Sequence, residues 1–454
     1  MRAGIRGGAG GAPDEATALV TRWLEAELGG TVVAISRQAR WRPAWFADVR
    51  CGNATLAVYV RGERTDMPAI FPLDHEMRMQ QLLDGERIPV PRVHGFCPEP
   101  RAIVMDRVAG DIDFARSTAE ERQAVVDDYV DILARMHAID VGVFARAGVP
   151  VAQDPLAIAR AGIEAYERAY RGSKRRPDPF MEFCLQWLAR HPPRHDIRPA
   201  AVVWDSGQFA HRDGRVVAML DLELAHVGDP LMDLAGLRMR DTVIGYGDLR
   251  AFYRRYEQLS GTPVDLDAID YHHFAFTFTT QLALHGALAD PQPDSDLMNY
   301  LQWCSETNLY ALEALAGFVG VDLDPVDVPP SQDSPARAAH RHLVRSLRTM
   351  EGVDEYGQYR QRIAFRLARH LERVDEIGGA VVARDLDDLG ALLGTRPASW
   401  AEGELALERF VLDAGPARDA ELIRLFQRRL HRQRMLLGPA TAAMTQHLPL
   451  QSIR

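Results

Sequence analysis

The spacing of apolar residues changes along the first hundred positions of the chain. Residues 13–28 carry apolar side chains at a helical period, which ends at Gly29-Gly30. Short apolar runs then alternate with polar or glycine-containing turns, which predicts an antiparallel sheet, and a helical period over 73–83 interrupts them. The predicted strands cover residues 31–35, 45–49, 55–60, 93–96 and 102–105.

From residue 118 onward the apolar period is mostly helical, over Ala124–His137, Asp154–Tyr170 and Met181–Leu188. Residues 200–225 depart from this period. They form short β-type runs on both sides of Asp213-Gly214, a dipeptide that favours a tight hairpin turn. The central part of the chain is thus predicted to be a helical domain that carries one hairpin.

A proline-rich stretch at 325–335 precedes a last, arginine-rich region. This region is predicted to be a helical bundle packed on the preceding domain or a separate interaction module. Its helical periods cover residues 338–350, 355–377, 380–393, 399–413 and 417–437. The expected division is a disordered start at 1–12, a sheet domain at 13–108, a helical domain at 109–324, a linker at 325–336 and a C-terminal helical domain at 337–454.

Composition narrows the class of protein. The 454 residues are 47% hydrophobic, and the net charge of −10 disfavours a dedicated nucleic-acid binder, so a small-molecule partner is expected. The four cysteines are scattered without paired spacing, which predicts reduced thiols rather than a zinc site. Because the start of the chain lacks an apolar signal segment and no apolar run is long enough to cross a bilayer, we expect a cytoplasmic protein without membrane association.

Acidic and amide side chains concentrate around the predicted hairpin. Asp205 and Gln208 precede it and Asp221 follows it. Phosphoryl transfer needs an acidic group that orients or deprotonates an attacking hydroxyl, and oxygen ligands that hold Mg²⁺ against nucleotide phosphates. These three residues are candidates for such a centre. Asp229 and Asp233, by contrast, are expected to cap and brace the helix that follows them.

The run Asp221–Ala235, DLELAHVGDPLMDLA, resembles the second half of the signature of the aminoglycoside phosphotransferase and choline kinase superfamily. The resemblance covers residues 23–321 and assigns Asp221 as the carboxylate that holds Mg²⁺. It implies an α+β, protein kinase-like bilobal fold with a small antiparallel-sheet N-lobe and a mostly helical C-lobe. Here an all-α C-terminal region follows these lobes.

The first half of that signature is altered in this chain. Gln208 stands where the family has Asn, and its amide oxygen can also reach a metal. An ungapped alignment places Ala201 at the family's His and Val203 at its catalytic Asp, and neither can do that chemistry. Asp205 takes the catalytic position if the loop is shortened by two residues. The alternative left open is a degraded loop in which Asp205 is a turn residue.

The resemblance also implies nucleotide contacts upstream. Arg61 replaces the strand lysine that contacts phosphates, and Glu76 corresponds to the helix carboxylate that holds that cation in place. Met105 lies in the segment 103–110, which resembles the hinge whose backbone pairs with adenine. A glycine-rich phosphate loop is missing, since residues 36–44 contain no glycine.

These features predict a phosphotransferase that uses Mg²⁺ and ATP, or another nucleoside triphosphate, on a hydroxyl of a small metabolite. The segment 226–233 is closest to kinase-like domains associated with acyl-CoA metabolism, so the expected acceptor is acyl-CoA-related or aminoglycoside-like. The alternative is a catalytically degenerate pseudokinase that binds or scaffolds through its C-terminal helices. The arginine cluster at 424–434 is interpreted as a solvated helical face.

Overall fold

The computed structural model describes residues 15–40, 42–64, 69–293, 295–351, 354–437 and 448–454. The chain divides into two units, residues 1–65 with 91–108 and residues 66–90 with 109–454. The expected disordered start at 1–12 lies outside the described residues. The sheet-containing first unit and mostly helical second unit confirm the predicted α+β class.

The first unit is an antiparallel sheet with strand order β1-β2-β3-β5-β4 and one helix packed on it. Its elements are α1 (Glu15–Leu28), β1 (Thr31–Arg37), β2 (Ala44–Cys51), β3 (Ala54–Gly62), β4 (Val93–Pro98) and β5 (Arg101–Asp106). Trp45 and Val49 share a buried cluster with Leu24 of α1 because alternate strand residues point to the same face. The Trp45 indole also donates to Thr17 Oγ1 at 2.8 Å. All five predicted strands are confirmed.

The second unit begins with α2, a helix that the sequence division had assigned to the sheet domain. Its elements up to the last strand are α2 (Leu73–Gly85), α3 (Ala119–His137), α4 (Gly142–Arg146), α5 (Pro155–Ser173), α6 (Pro179–Arg190), β6 (Ala200–Val202), β7 (Phe209–Arg212), β8 (Arg215–Met219) and β9 (His226–Gly228). The following helices are α7 (Leu231–Ile244), α8 (Leu249–Ser260), α9 (Leu266–Thr277), α10 (Thr279–Ala289), α11 (Leu297–Val319), α12 (Arg337–Thr349), α13 (Glu355–Leu393), α14 (Trp400–Asp413) and α15 (Asp419–Leu436). None of the described helices has the length and apolar character needed to cross a membrane.

Two small strand pairs organise the centre of the second unit. β7 and β8 form the predicted hairpin, and its turn residues Asp213 and Gly214 have φ values of 53° and 74°, the left-handed conformation that a two-residue turn requires. β6 pairs antiparallel with β9, with Val202 opposite His226. Since the chain leaves β6 at the same end at which it enters β9, this pairing brings the loop after residue 202 beside the segment before residue 226.

α13 runs unbroken where two helices were predicted, so the expected break after Ile377 is wrong. Two adjacent glycines cost a helix about 1 kcal/mol each relative to alanine. Packing offsets this cost, because Ile377 and Val381 on either side are buried. Gly379 also allows the close approach of the preceding segment, since a Cβ there would lie 2.9 Å from Gln332 Oε1.

The last two helices pack on the helical domain and share its core. Phe426 of α15 contacts Phe180 and Phe183 of α6, with ring centroids 5.2 and 5.4 Å apart. Of the two arrangements left open by the sequence, the packed bundle is therefore the one that forms. The interpretation of α15 as a solvated arginine face is wrong for Arg429 and Arg432, which are buried against carboxylates of α13 and α14. A buried guanidinium needs such partners.

Candidate functional site

The loop at 203–208, which joins β6 to β7, is anchored by a buried indole. Trp204 has a φ of 60° and is fully buried, a combination that is strained for a bulky residue. Its ring packs edge-on against Tyr166 at 5.6 Å and lies over Gly162 of α5, where any Cβ would overlap it. The burial of this side chain holds the backbone conformation that precedes Asp205.

The carboxylate of Asp233 in α7 fixes the same part of the loop. It accepts the backbone N–H of Val203 at 3.1 Å and that of Trp204 at 2.6 Å. His137 Nε2 lies 3.0 Å from its other oxygen. Gly236 lets the helix approach, because a Cβ there would overlap the Trp204 carbonyl oxygen. Asp233 is thus used entirely within the protein, as expected for a brace.

Two tyrosines hold the tip of the loop, and sequence analysis had not singled out either of them. Gly207, at a φ of 94°, donates its N–H to the Tyr129 hydroxyl at 2.8 Å, and its carbonyl accepts from Tyr246 at 2.6 Å. The buried Ser206 hydroxyl also lies 2.8 Å from the Tyr129 oxygen. In the sequence both tyrosines look like ordinary core positions of helical segments, so no motif signal identifies them.

Asp205 is held on both carboxylate oxygens. Gln208 Nε2 donates to Oδ2 at 2.7 Å, and the Arg240 guanidinium of α7 pairs with Oδ1. Burial raises the pKa of Asp205 above its usual value; Arg240 opposes this shift, and the negative charge of Asp221 adds to it. Asp205 retains 20% side-chain exposure, so it stays accessible to a ligand. Arg240 was not predicted, because no motif residue precedes or follows it at a fixed spacing.

Asp221 comes from the other side of the hairpin. It has a φ of 59°, a conformation that non-glycine residues rarely adopt, and it is half-buried. The N–H of Leu220 donates to the Gln208 carbonyl at 2.8 Å, which ties the two segments together. The structure therefore brings Asp205, Gln208 and Asp221 into one cluster, to which Arg240 adds a positive charge.

The side chains of this cluster supply some of the oxygen ligands that Mg²⁺ prefers. Gln208 points Nε2 at Asp205, which leaves its amide oxygen for a cation, and Asp221 supplies a carboxylate. Across the described part of the chain, no group of three or more His, Cys, Asp or Glu side chains is arranged to hold a metal. Mg²⁺ does not need such a cage, because it is commonly bound by one or two carboxylates together with substrate phosphates and water.

The three residues expected to bind nucleotide lie on other elements. In the first unit, Arg61 of β3 is buried and lies opposite Ile103 of β5, while Met105 of β5 lies opposite Tyr59. In the second unit, Glu76 is a buried residue of α2. Their roles at a nucleotide stay predictions.

Asp229 is the second internal brace. Its carboxylate accepts from Leu231 N at 3.0 Å and lies 2.9 Å from both His195 Nε2 and His272 Nε2. Burial acts to raise the pKa of Asp229, but the two histidines outweigh this effect and lower it. α7 itself begins at Leu231, the residue whose N–H Asp229 accepts.

Residues 72–272 match the sequence model described as the phosphotransferase enzyme family. Over these residues the chain is similar to that family. The match includes the whole cluster of Asp205, Gln208, Asp221 and Arg240, and it confirms for this region the resemblance inferred from the signature.

Curated relatives share the same part of the chain. Acyl-CoA dehydrogenase family member 11 of Rattus norvegicus is 27% identical over 216 residues, 45% of this chain and 27% of that protein. Acyl-CoA dehydrogenase family member 10 of Mus musculus is 24% identical over 265 residues, 51% of this chain and 24% of that protein. The match thus spans about a quarter of each relative's length.

Among solved structures, a choline kinase from Streptococcus pneumoniae is similar to this chain. It has 15% identity and a TM-score of 0.49, and the likeness covers 66% of this chain and 98% of the kinase.

Proposed function

We propose that the phosphotransferase-family region transfers a phosphoryl group from a nucleoside triphosphate to a hydroxyl of a small metabolite. The observation that carries this proposal is the cluster of Asp205, Gln208 and Asp221 on a loop that is held rigid from several sides. Phosphoryl transfer is catalysed mainly by positioning and by electrostatic stabilisation, so a rigid acidic cluster suits it.

Each member of the cluster has a distinct proposed role. Asp205 orients the acceptor hydroxyl and accepts its proton. Gln208, through its amide oxygen, and Asp221 hold Mg²⁺, which supplies charge neutralisation at the phosphates when bound. Arg240 is a positioning residue that fixes Asp205. Arg61, Glu76 and Met105 remain the proposed nucleotide contacts.

The position of Asp205 also bears on the shortened-loop interpretation. Ala201 and Val203 are buried in the core and have no polar atoms to offer, whereas Asp205 lies on the cluster with Gln208 and Asp221. This supports Asp205, rather than either alternative, as the acidic group. It also weighs against a loop in which Asp205 is a mere turn residue.

For the acceptor, we propose a hydroxyl-bearing metabolite of acyl-CoA chemistry. The support is the repeated match to proteins named acyl-CoA dehydrogenase family members over the phosphotransferase region. A hydroxyacyl compound, free or linked to coenzyme A, would carry the reacting hydroxyl on an acyl group. The enzyme could recognise the acyl group while the hydroxyl reacts.

Calorimetry with ATP, GTP and Mg²⁺ tests the proposal. Wild type is expected to bind a nucleoside triphosphate more tightly with Mg²⁺ than without, and Asp221→Ala is expected to lose that Mg²⁺-dependent part. Asp290→Ala, which removes one exposed carboxylate elsewhere, is the charge-matched control. If no triphosphate binds wild type, the phosphotransferase proposal fails. If a triphosphate binds but is never transferred or hydrolysed, the altered signature is that of a pseudokinase.

A further inference from the structure

The helix α12 carries an unusual concentration of basic residues. Within Arg337–Thr349 there are four arginines and two histidines but no acidic residue. The whole chain has a net charge of −10, so this helix opposes the overall balance. Like charges three or four residues apart on a helix are mutually unfavourable. A local excess of this kind suggests a surface that meets an anion.

Three of these arginines line a groove between α12 and α13. Arg341, Arg345 and Arg348 are spaced at four and three residues, which places them on one face of α12. Arg369 and Glu372 of α13 form the opposite wall. The buried side chain of Val344 contributes to the lining, and the groove measures about 220 Å³.

The charges of the groove are only partly balanced. Arg369 pairs with Glu372 at 2.8 Å, and Arg348 lies over the Phe365 ring at 5.7 Å. Arg341 and Arg345 have no carboxylate partner among the residues that the structure describes. Four arginines against one glutamate leave the lining with three net positive charges.

The arginines of α15 show what the groove lacks. Arg429 and Arg432 are buried and pair with Glu404 and Asp385. Their charge serves the packing of the C-terminal helices. The exposed guanidinium groups of α12 contribute nothing comparable to packing, although they converge with Arg369 on one small space.

We propose that this groove binds adjacent phosphate groups of a small molecule. A guanidinium donates two parallel hydrogen bonds to a phosphate, and several of them around one space match a di- or triphosphate. The volume is below the roughly 300–1,000 Å³ of pockets for drug-sized ligands, so the phosphates enter and the rest of the ligand stays outside. The same chemistry occurs in free polyphosphate, in nucleotides and in coenzyme A.

A small anion fits the groove better than a nucleic acid or a membrane. The positive lining is confined to one face of one helix and a single facing arginine, whereas a nucleic-acid strand requires an extended basic track. An amphipathic helix that lies on a membrane exposes a continuous apolar face. In α12, Val344 is buried within the groove lining, and Leu343 alone among the large apolar residues is exposed.

The test is calorimetric titration of the full chain with sodium tripolyphosphate, ATP or coenzyme A, each without Mg²⁺. The variant Arg341→Gln/Arg345→Gln removes the two unpaired cations. The control Arg250→Gln/Arg409→Gln removes two exposed arginines from α8 and α14, so both variants have the same net charge. Because each lost pair of charge-assisted hydrogen bonds weakens binding several-fold, we expect at least a tenfold rise in Kd for the groove variant and less than a twofold change for the control.

Comparison of the three titrated ligands distinguishes the sources of phosphate. Tighter binding of ATP or coenzyme A than of tripolyphosphate, lost in the groove variant, identifies a nucleotide-borne group, and the reverse order identifies free polyphosphate. Equal binding to wild type and the groove variant, or no binding of any of the three near 1 mM, overturns the proposal. The proposal is also overturned if the groove variant loses binding of an RNA oligonucleotide while binding of the three small phosphates does not depend on the two arginines. The proposed phosphotransfer site is the same in wild type, groove variant and control, so any triphosphate that it binds contributes equally to all three. Only the difference between the groove variant and the control bears on the groove.

Discussion

Four aspartates within one short stretch of the chain have opposite environments. Asp229 and Asp233 are fully buried, and every oxygen of their carboxylates meets a backbone N–H or a histidine. Asp205 and Asp221 are only partly buried and lie together at the loop and hairpin ends. The first pair stabilises the second unit from within, and the second pair keeps part of its surface exposed.

This comparison shows what separates a structural carboxylate from a chemical one. All four occur near the same signature, so residue type does not distinguish them. The number of internal donors and the exposed fraction of the side chain do. Asp229 and Asp233 each meet three internal partners and have no exposed surface. Asp205 meets two, Gln208 and Arg240, and keeps 20% of its side chain exposed.

The largest expected effect is on catalysis. Asp205→Asn removes the proposed proton acceptor while keeping the shape of the side chain, so we expect a fall in turnover of about 10²–10⁴-fold, as for other general bases. Release of inorganic phosphate from the preferred nucleoside triphosphate measures this without knowledge of the acceptor, since water replaces the hydroxyl. The free energy of unfolding of Asp205→Asn is expected to differ from that of wild type by about 1 kcal/mol or less. The side chain is partly exposed, and the amide oxygen of the new Asn still accepts from Arg240.

Equal turnover in wild type and Asp205→Asn would remove Asp205 from the mechanism. Asp213→Asn makes the same substitution at the exposed hairpin turn and serves as the control. It is expected to leave turnover unchanged.

The matched substitution Asp233→Asn tests the structural role of the buried pair of aspartates. It places an NH₂ group where a carboxylate oxygen now accepts from Val203, Trp204 or His137. A buried donor without an acceptor is costly, so we expect a loss of about 2–4 kcal/mol in the free energy of unfolding. Urea unfolding followed by tryptophan fluorescence measures it, because Trp204 lies beside the site. A smaller loss than for Asp205→Asn would refute the division into braces and chemical groups.

Periodicity and turn chemistry predicted most of the fold. The strands of the first unit and the turn at Asp213-Gly214 follow from local patterns, since each element is specified by its own residues. The break predicted at Gly378-Gly379 failed because packing along α13 outweighs local glycine propensity. The outward interpretation of the α15 arginines failed because their partners lie on α13 and α14, far away in sequence.

The candidate site was predictable only where the signature is intact. Asp221 follows from the run that ends at Ala235, and Asp205 required a choice between alignments. The side chains that complete the site, Arg240, Tyr129 and Tyr246, come from helices and reach the loop through tertiary packing. No spacing rule encodes such contacts, so sequence alone does not identify them.

The smallest predicted effect concerns pH. Burial raises the pKa of Asp205, and the charges of Asp221 and Asp233 add to this shift, while Arg240 lowers the pKa and limits it. Arg240→Gln removes that lowering influence, so the pKa of Asp205 rises further. Because Asp205 is proposed to act in its ionised form, the acid limb of the turnover profile is expected to move to higher pH.

The conservative variant separates charge from shape at this pair. Arg240→Lys keeps a cation beside Asp205 and is expected to leave the acid limb close to its wild-type position, although turnover at the plateau falls because the bond to the Asp205 oxygen is less well directed. If Arg240→Gln lowers turnover equally at every pH, Arg240 only shapes the loop. A shift with Gln and none with Lys shows that the charge of Arg240 keeps Asp205 ionised, so that Arg240 serves the proposed chemistry and not only the shape of the loop.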